Sequence, residues 1–177
     1  MKSAITICLV PEAQRGPFVF HDGIEAGCQA AAEAGFDAVE IFPSSAKEFP
    51  ASKLSSLLQK NSLTVAAVGT GAGWLKQRLS LTDGDHEKRA RAIEFISALI
   101  DTAAEYNAPV IIGSMQGQST EATTRESALQ LLAEGLATLA DRAKGQGQML
   151  LYEPLNRYET NLLNTQEAAT TAEPSHQ

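Results

Sequence analysis

The sequence predicts an α/β fold, one sheet of parallel strands covered by helices. Three observations carry that expectation. Short apolar runs alternate with longer amphipathic stretches along the whole chain. The short runs lack the period-2 alternation of a strand with one wet face, as strands buried on both faces do. The amphipathic stretches finish on Gly or Asn, residues that tolerate the left-handed conformation closing a helix.

The apolar runs are residues 5–10, 38–42, 64–68, 109–112 and 149–152. Between them lie stretches with apolar positions at helical period. Residues 23–34 place Ile24, Cys28, Ala31 and Ala32 on one side, with Asp22 and Glu25 as a capping pair at the start. Residues 50–60 carry Leu54, Leu57 and Leu58. Residues 86–106 align Ile93, Ile96, Ile100 and Ala103, and residues 124–144 align Leu129, Leu132, Leu136 and Leu139, started by Thr123 with Glu126 three residues on. Gly35, Asn61, Asn107 and Gly145 stand where caps are wanted. A fifth helix starts at Thr165, with Asn164 and Glu167 placed to cap it. Strand followed by helix, with right-handed crossovers, gives a single parallel sheet. On pattern alone an open doubly wound sheet is preferred, since it is complete at about five strands. A closed (β/α)8 barrel takes roughly 250 residues.

The chain has 177 residues and a formal net charge of -7. It carries no apolar run of about 18 residues, so no membrane span is expected. A nucleic-acid surface needs clustered cations, and here the 14 basic residues are scattered. Lys88, Arg89 and Arg91 follow Asp83, Asp85 and Glu87 and read as a solvated helix face. Cys8 and Cys28 fall inside apolar segments without metal spacing, which fits free thiols in a reducing cytoplasm.

The strongest chemical signal follows the fifth apolar run. Pro154 cannot donate to a ladder and ends the strand. Glu153 then stands at the strand's C-terminal mouth, where parallel α/β sheets place ligands. Asn156, Arg157, Glu159 and Asn161 follow on the same loop. A polar loop with a capping carboxylate is the plain alternative. Ser114 and Gln116 sit beyond the fourth run, where polar groups line pockets, and Glu40 would face one side of the second strand as a core or a site carboxylate. Residues 69–74, GTGAGW, follow the third run; the segment does not open directly onto a helix, so the dinucleotide fingerprint fails and a flexible loop is expected. His21, His86 and His176 read as surface or capping residues.

Residues 153–165 (EPLNRYETNLLNT), with GFDAVEIF (35–42), LSLTDGDHEKRARAIEF (79–95) and PVIIGSMQG (109–117), resemble the sugar phosphate isomerases/epimerases of the xylose-isomerase-like family, the ketose 3-epimerases among them. The similarity runs in order through residues 5–167 and replaces the open sheet with a barrel. It implies a partial (β/α)8 TIM barrel of about five parallel strands with outer helices: residues 1–167 as an incomplete barrel domain, 168–177 as a tail. It implies a divalent metal, Mn²⁺ or Mg²⁺, with Glu153 as a metal ligand and catalytic carboxylate, and Glu159 in contact with a sugar or sugar phosphate. Gln116 and Trp74 would complete the substrate contacts. Moving a proton beside a carbonyl needs a base at the C–H bond and an electrophile at the oxygen, which explains such residue types. In the relatives the other ligands, an Asp, a His and a second Glu, come from strands six to eight, which this reading does not find here. A C-terminally truncated, inactive chain is therefore expected, self-associating through two open sheet edges. A non-catalytic sugar-binding remnant is the first alternative. An enzyme like endonuclease IV, which shares the barrel, is the second, and the acidic charge opposes it.

Overall fold

The computed structural model describes residues 1–171. Five strands form one sheet: β1 (Ala4–Cys8), β2 (Ala38–Phe42), β3 (Thr64–Gly69), β4 (Val110–Ile112) and β5 (Leu150–Tyr152). The helices are α1 (Gly23–Glu33), α2 (Ala51–Asn61), α3 (Ala72–Gln77), α4 (His86–Ala104), α5 (Arg125–Gly145) and α6 (Gln166–Thr171). Short 3₁₀ turns follow β1 (Pro11–Ala13) and β4 (Ser114–Gln116). α6 runs through the boundary drawn at residue 167; residues 172–177 of the expected tail, His176 included, lie outside the described residues.

The strand order is β1-β2-β3-β4-β5 and every neighbouring pair is parallel. A doubly wound sheet would reverse its order part-way. Sequential order with right-handed crossovers puts the helices on one face and leaves the other as the inside of a curved wall. This is a partial barrel.

The register sorts the side chains. Ile7, Ile41, Val68, Val110 and Leu150 are matched across the sheet. This row faces the helices, since Ile7 meets Gly27 of α1. The residues between them line the inner face: Thr6 beside Glu40, Cys8 beside Phe42, and Gly69, Ile111 and Leu151 in line. The core lies between sheet and helices, with Leu54, Ile96, Leu99, Ile100, Leu132 and Leu139 at 1% exposure or less.

Local details depart from the sequence reading at several helix ends and at one loop. The residues in the left-handed region near the second and fourth predicted helix ends are Ser62 and Gly147, not Asn61 and Gly145, because α2 and α5 each run one residue further; Gly35 and Asn107 do adopt it. Asp22 makes no side-chain cap, and Glu25 instead pairs with Lys53 of α2 at 3.2 Å. Thr124, not Thr123, caps α5 by accepting from the Ser127 amide, and Thr165, not Asn164, accepts from the Ala168 amide. The glycine-rich stretch after β3 is not a flexible loop: Ala72 and Gly73 are buried in the first turn of α3.

The two outer strands differ. The Cys8 amide donates to Phe20 O at 2.9 Å, so a loop covers part of the β1 edge. β5 has no such cover among the described residues; Met149 just before it and Leu151 within it are 69% and 38% exposed.

Candidate functional site

The mouth of the wall is built by the residues that leave the C-terminal ends of β2 to β5. The ladder runs one residue past β5: the Glu153 amide donates to Ile112 O at 3.0 Å, and Pro154 then ends it. The Glu153 carboxylate turns to the inner face and rests against the end of β4. Its Oε2 lies 2.7 Å from where a Cβ would stand on Gly113, so the missing side chain is what makes room for it. Desolvation by the strand ends raises the pKa of Glu153, and the charge of Glu159 adds to the rise.

Glu40 shares this face. Its Oε1 lies 3.5 Å from the Cβ position of Gly69, and the Thr6 side chain hydrogen-bonds to it. Burial is the main cause that pushes its carboxyl up, the charge of Glu153 is the second, and Thr6 opposes both. Glu40, Glu153 and Glu159 thus form one electrostatically linked set at the mouth.

The polar residues of the β5 loop divide into scaffold and free groups. Asn156 accepts from the Tyr158 amide at 2.9 Å and donates to the Glu159 carboxylate, which holds that carboxylate over its own turn. Thr160 donates to Gly117 O at 2.8 Å, and Asn161 bonds both backbone groups of Ser119. Asn164 donates to Leu155 O and Thr160 O. Arg157 lies over the ring of Tyr158, 5.3 Å from its centroid, in an exposed pair.

Trp74 and Gln116 are engaged by other partners. Trp74 is half-buried in α3, and the Arg78 guanidinium covers its ring at 5.2 Å. Gln116 has no exposed surface: its amide donates to Gly113 O and Glu153 O, both at 3.1 Å, and accepts from the Tyr152 hydroxyl. A group buried and occupied in this way holds the strand ends together and does not line a pocket. Gly113, Thr6 and Tyr152 escaped the sequence reading; the glycine directly after the fourth apolar run was the one available signal.

A cavity of about 160 Å³ opens elsewhere, at the end of β1, lined by Cys8, Val10, Pro11, Gln14 and His21 among others. It contains no carboxylate. His21 is half-buried there, not at the surface; its Nε2 meets Phe18 O at 2.8 Å and Nδ1 is buried without a partner.

Among the described residues, no group of three or more His, Cys, Asp or Glu side chains is close enough to hold a metal ion. A divalent cation needs several oxygen or nitrogen ligands. The described residues by themselves therefore do not fit a resident metal.

Residues 28–173 match the family described as the xylose isomerase-like TIM barrel. The chain belongs to that family. Within the xylose isomerase-like family it is 30% identical over 148 residues to the ketose 3-epimerase of Arthrobacter globiformis, a match covering 81% of this chain and 49% of that protein. The chain thus spans about half the length of the curated relative it matches. Two solved structures have the same fold. The 3-keto-D-glucoside 4-epimerase from E. coli superposes with a TM-score of 0.74 at 17% identity, over 97% of this chain and 63% of that one. The D-psicose 3-epimerase from Clostridium cellulolyticum, solved with D-tagatose, gives 0.71 at 22% identity, over 95% and 57%.

Proposed function

We propose that the chain belongs to a lineage that isomerises or epimerises sugars or sugar phosphates, with Glu153 as the carboxylate that moves a proton beside the substrate carbonyl. One observation supports this above the rest: the Glu153 carboxylate projects from the end of β5 onto the inner face, seated over Gly113. A raised pKa suits proton transfer near neutral pH, because a base with a higher pKa takes the proton more readily. Glu159, fixed by Asn156, is the sugar-contacting group in this reading. Trp74 adds a contact through whatever part of its ring Arg78 leaves open.

The implied Mn²⁺ or Mg²⁺ has one candidate ligand among the described residues, Glu153. Among the described residues no helix is long and apolar enough to cross a membrane. A cytoplasmic setting is part of the same reading, in keeping with two free cysteines. Self-association belongs to it too, through the uncovered edge of β5 and not through β1, whose edge Phe20 blunts. Sedimentation should show a concentration-dependent dimer, and a monomer at all micromolar concentrations would remove that part.

The test of activity is proton exchange. Ketoses and their phosphates are incubated in D₂O with the chain, with and without Mn²⁺, and deuterium beside the carbonyl is followed by NMR. Exchange that Glu153→Gln abolishes is expected. No exchange with any ketose in the wild type would remove the enzyme reading.

A second reading, a sugar-binding protein without turnover, is favoured by the incomplete metal-ligand set. It predicts ligand-induced shifts in the Glu153 and Glu159 resonances without any deuterium incorporation.

A further inference from the structure

We propose that Gln116 is a positioning residue for Glu153, acting with Tyr152 and Gly113 as one clamp across the ends of β4 and β5. The inference rests on the reading of Glu153 as the reacting carboxylate. Gln116 comes from the 3₁₀ turn after β4 and is fully buried. A buried amide is costly unless its groups are bonded, and here three of its four hydrogen-bonding positions are used. The two N–H groups reach Gly113 O and Glu153 O, each at 3.1 Å. The oxygen takes the Tyr152 hydroxyl. This network fixes which end of the amide is which, since the reverse orientation would set an oxygen against two carbonyls.

The placement gives the amide its meaning. The last ladder bond joins the Glu153 amide to Ile112 O at 3.0 Å. Beyond it the strands have no further rung, and the Gln116 side chain supplies one by bridging the carbonyls of Gly113 and Glu153. Glu153 is therefore held by its N–H and by its carbonyl. Its carboxylate lies over Gly113, where an added Cβ would stand only 2.7 Å from Oε2. An apolar side chain of the same volume could fill the core at this point. It could not fix the backbone from which the carboxylate projects. Misplacing a reacting group by about 1 Å can cost around 10²-fold in rate.

The test uses the full chain with Tyr152→Phe, Gln116→Met and Gly113→Ala. Tyr152→Phe removes one hydroxyl, so it keeps the experiment decisive if a larger change prevents folding. The first readout is the side-chain conformation of Glu153, from three-bond couplings in selectively labelled protein. A single rotamer is expected in wild type, with rotamer averaging in Tyr152→Phe and Gln116→Met. Gly113→Ala should instead give a different single rotamer, because the added methyl fills the seat. The second readout is deuterium exchange into a ketose, with kcat lowered about 10- to 100-fold and KM little changed. Wild-type couplings in Tyr152→Phe and Gln116→Met overturn the clamp, whatever the kinetics. If the wild type exchanges no ketose, the enzyme reading fails by itself and the couplings still decide the clamp.

Discussion

Asn161 closes a two-bond ring on Ser119, accepting from its amide at 2.8 Å and donating to its carbonyl at 3.2 Å. The ring ties the loop after β5 to the loop between β4 and α5. Arg125 at the start of α5 adds a bond to Leu162 O at 2.8 Å. The loop bearing Glu159 is thereby fixed to its neighbour, and that gives the first prediction. Asn161→Ala should cost about 1 kcal/mol, a net loss near that of one ordinary hydrogen bond because both groups regain water. A thermal melt should fall by about 2–4 °C, with faster hydrogen exchange at Ser119. Unchanged exchange there would show that the ring does not hold the loop.

α1 is seated on β1 through a close approach. A Cβ on Gly27 would stand 2.7 Å from Ile7 Cγ2 and 2.9 Å from Cδ1. Gly27→Ala should therefore overpack the interface and cost about 1–3 kcal/mol, despite the better helix propensity of alanine. Denaturant melts of Gly27→Ala and of Gly27→Ala with Ile7→Val check this. The double variant should recover part of the loss.

Glu40 predicts a pH dependence of stability. Burial first, and Glu153's charge second, hold its folded pKa above the unfolded value, which is about 4.3. Between those two values the native state keeps a proton that the unfolded state has lost, so stability falls as pH rises through the window. The penalty is absent below the unfolded pKa and complete above the folded one. Glu40→Gln should raise Tm at pH 7.5, with the gain shrinking towards zero at pH 4. A gain of equal size at both pH values would mean that charge is not its cause.

Cys8 and Cys28 are 2% and 0% exposed, and burial raises both thiol pKa values. The thiolate is the reactive form. Native protein at pH 7.5 should resist iodoacetamide for hours and take up two labels per chain in denaturant, as mass spectrometry would show. Rapid single labelling of the native chain would show that the cavity at the end of β1 admits the reagent to Cys8 despite its burial.

Much of the fold could be read from residues alone. The bounds of β2 match the apolar run at 38–42, and the long amphipathic stretches became α4 and α5. These features are local, set by periodicity within a few turns. α3 was missed because GTGAGW is rich in a residue that disfavours helices; burial of Ala72 and Gly73 against the mouth overrides that preference. Ser62, not Asn61, takes the left-handed cap because α2 runs one residue further, and such ends lie at the limit of local signals.

The site was legible only in outline. Glu153 before Pro154 marked the mouth, since a proline at a strand end stops the ladder wherever it occurs. The same loop also offered Asn156, Arg157 and Asn161 beside the carboxylates, and the segment after the fourth apolar run offered Gln116 as a pocket residue. Their partners separate them. Asn161 meets Ser119 across 42 positions, and Gln116 meets Glu153 across 37.

The sequence by itself determined the alternation of buried strands and amphipathic helices, and the acidic residue that follows the last strand. Periodicity and proline act within one segment and need nothing else. Segment patterns alone left the order of the strands open; the family resemblance implied a barrel, and the tertiary structure has the strands in sequence, which gives the sheet an inner face shared by Glu40 and Glu153. The tertiary structure alone decided which polar side chains are consumed by the scaffold and which remain free. Both outcomes depend on hydrogen bonds and packing between segments far apart in the chain, which no local pattern encodes.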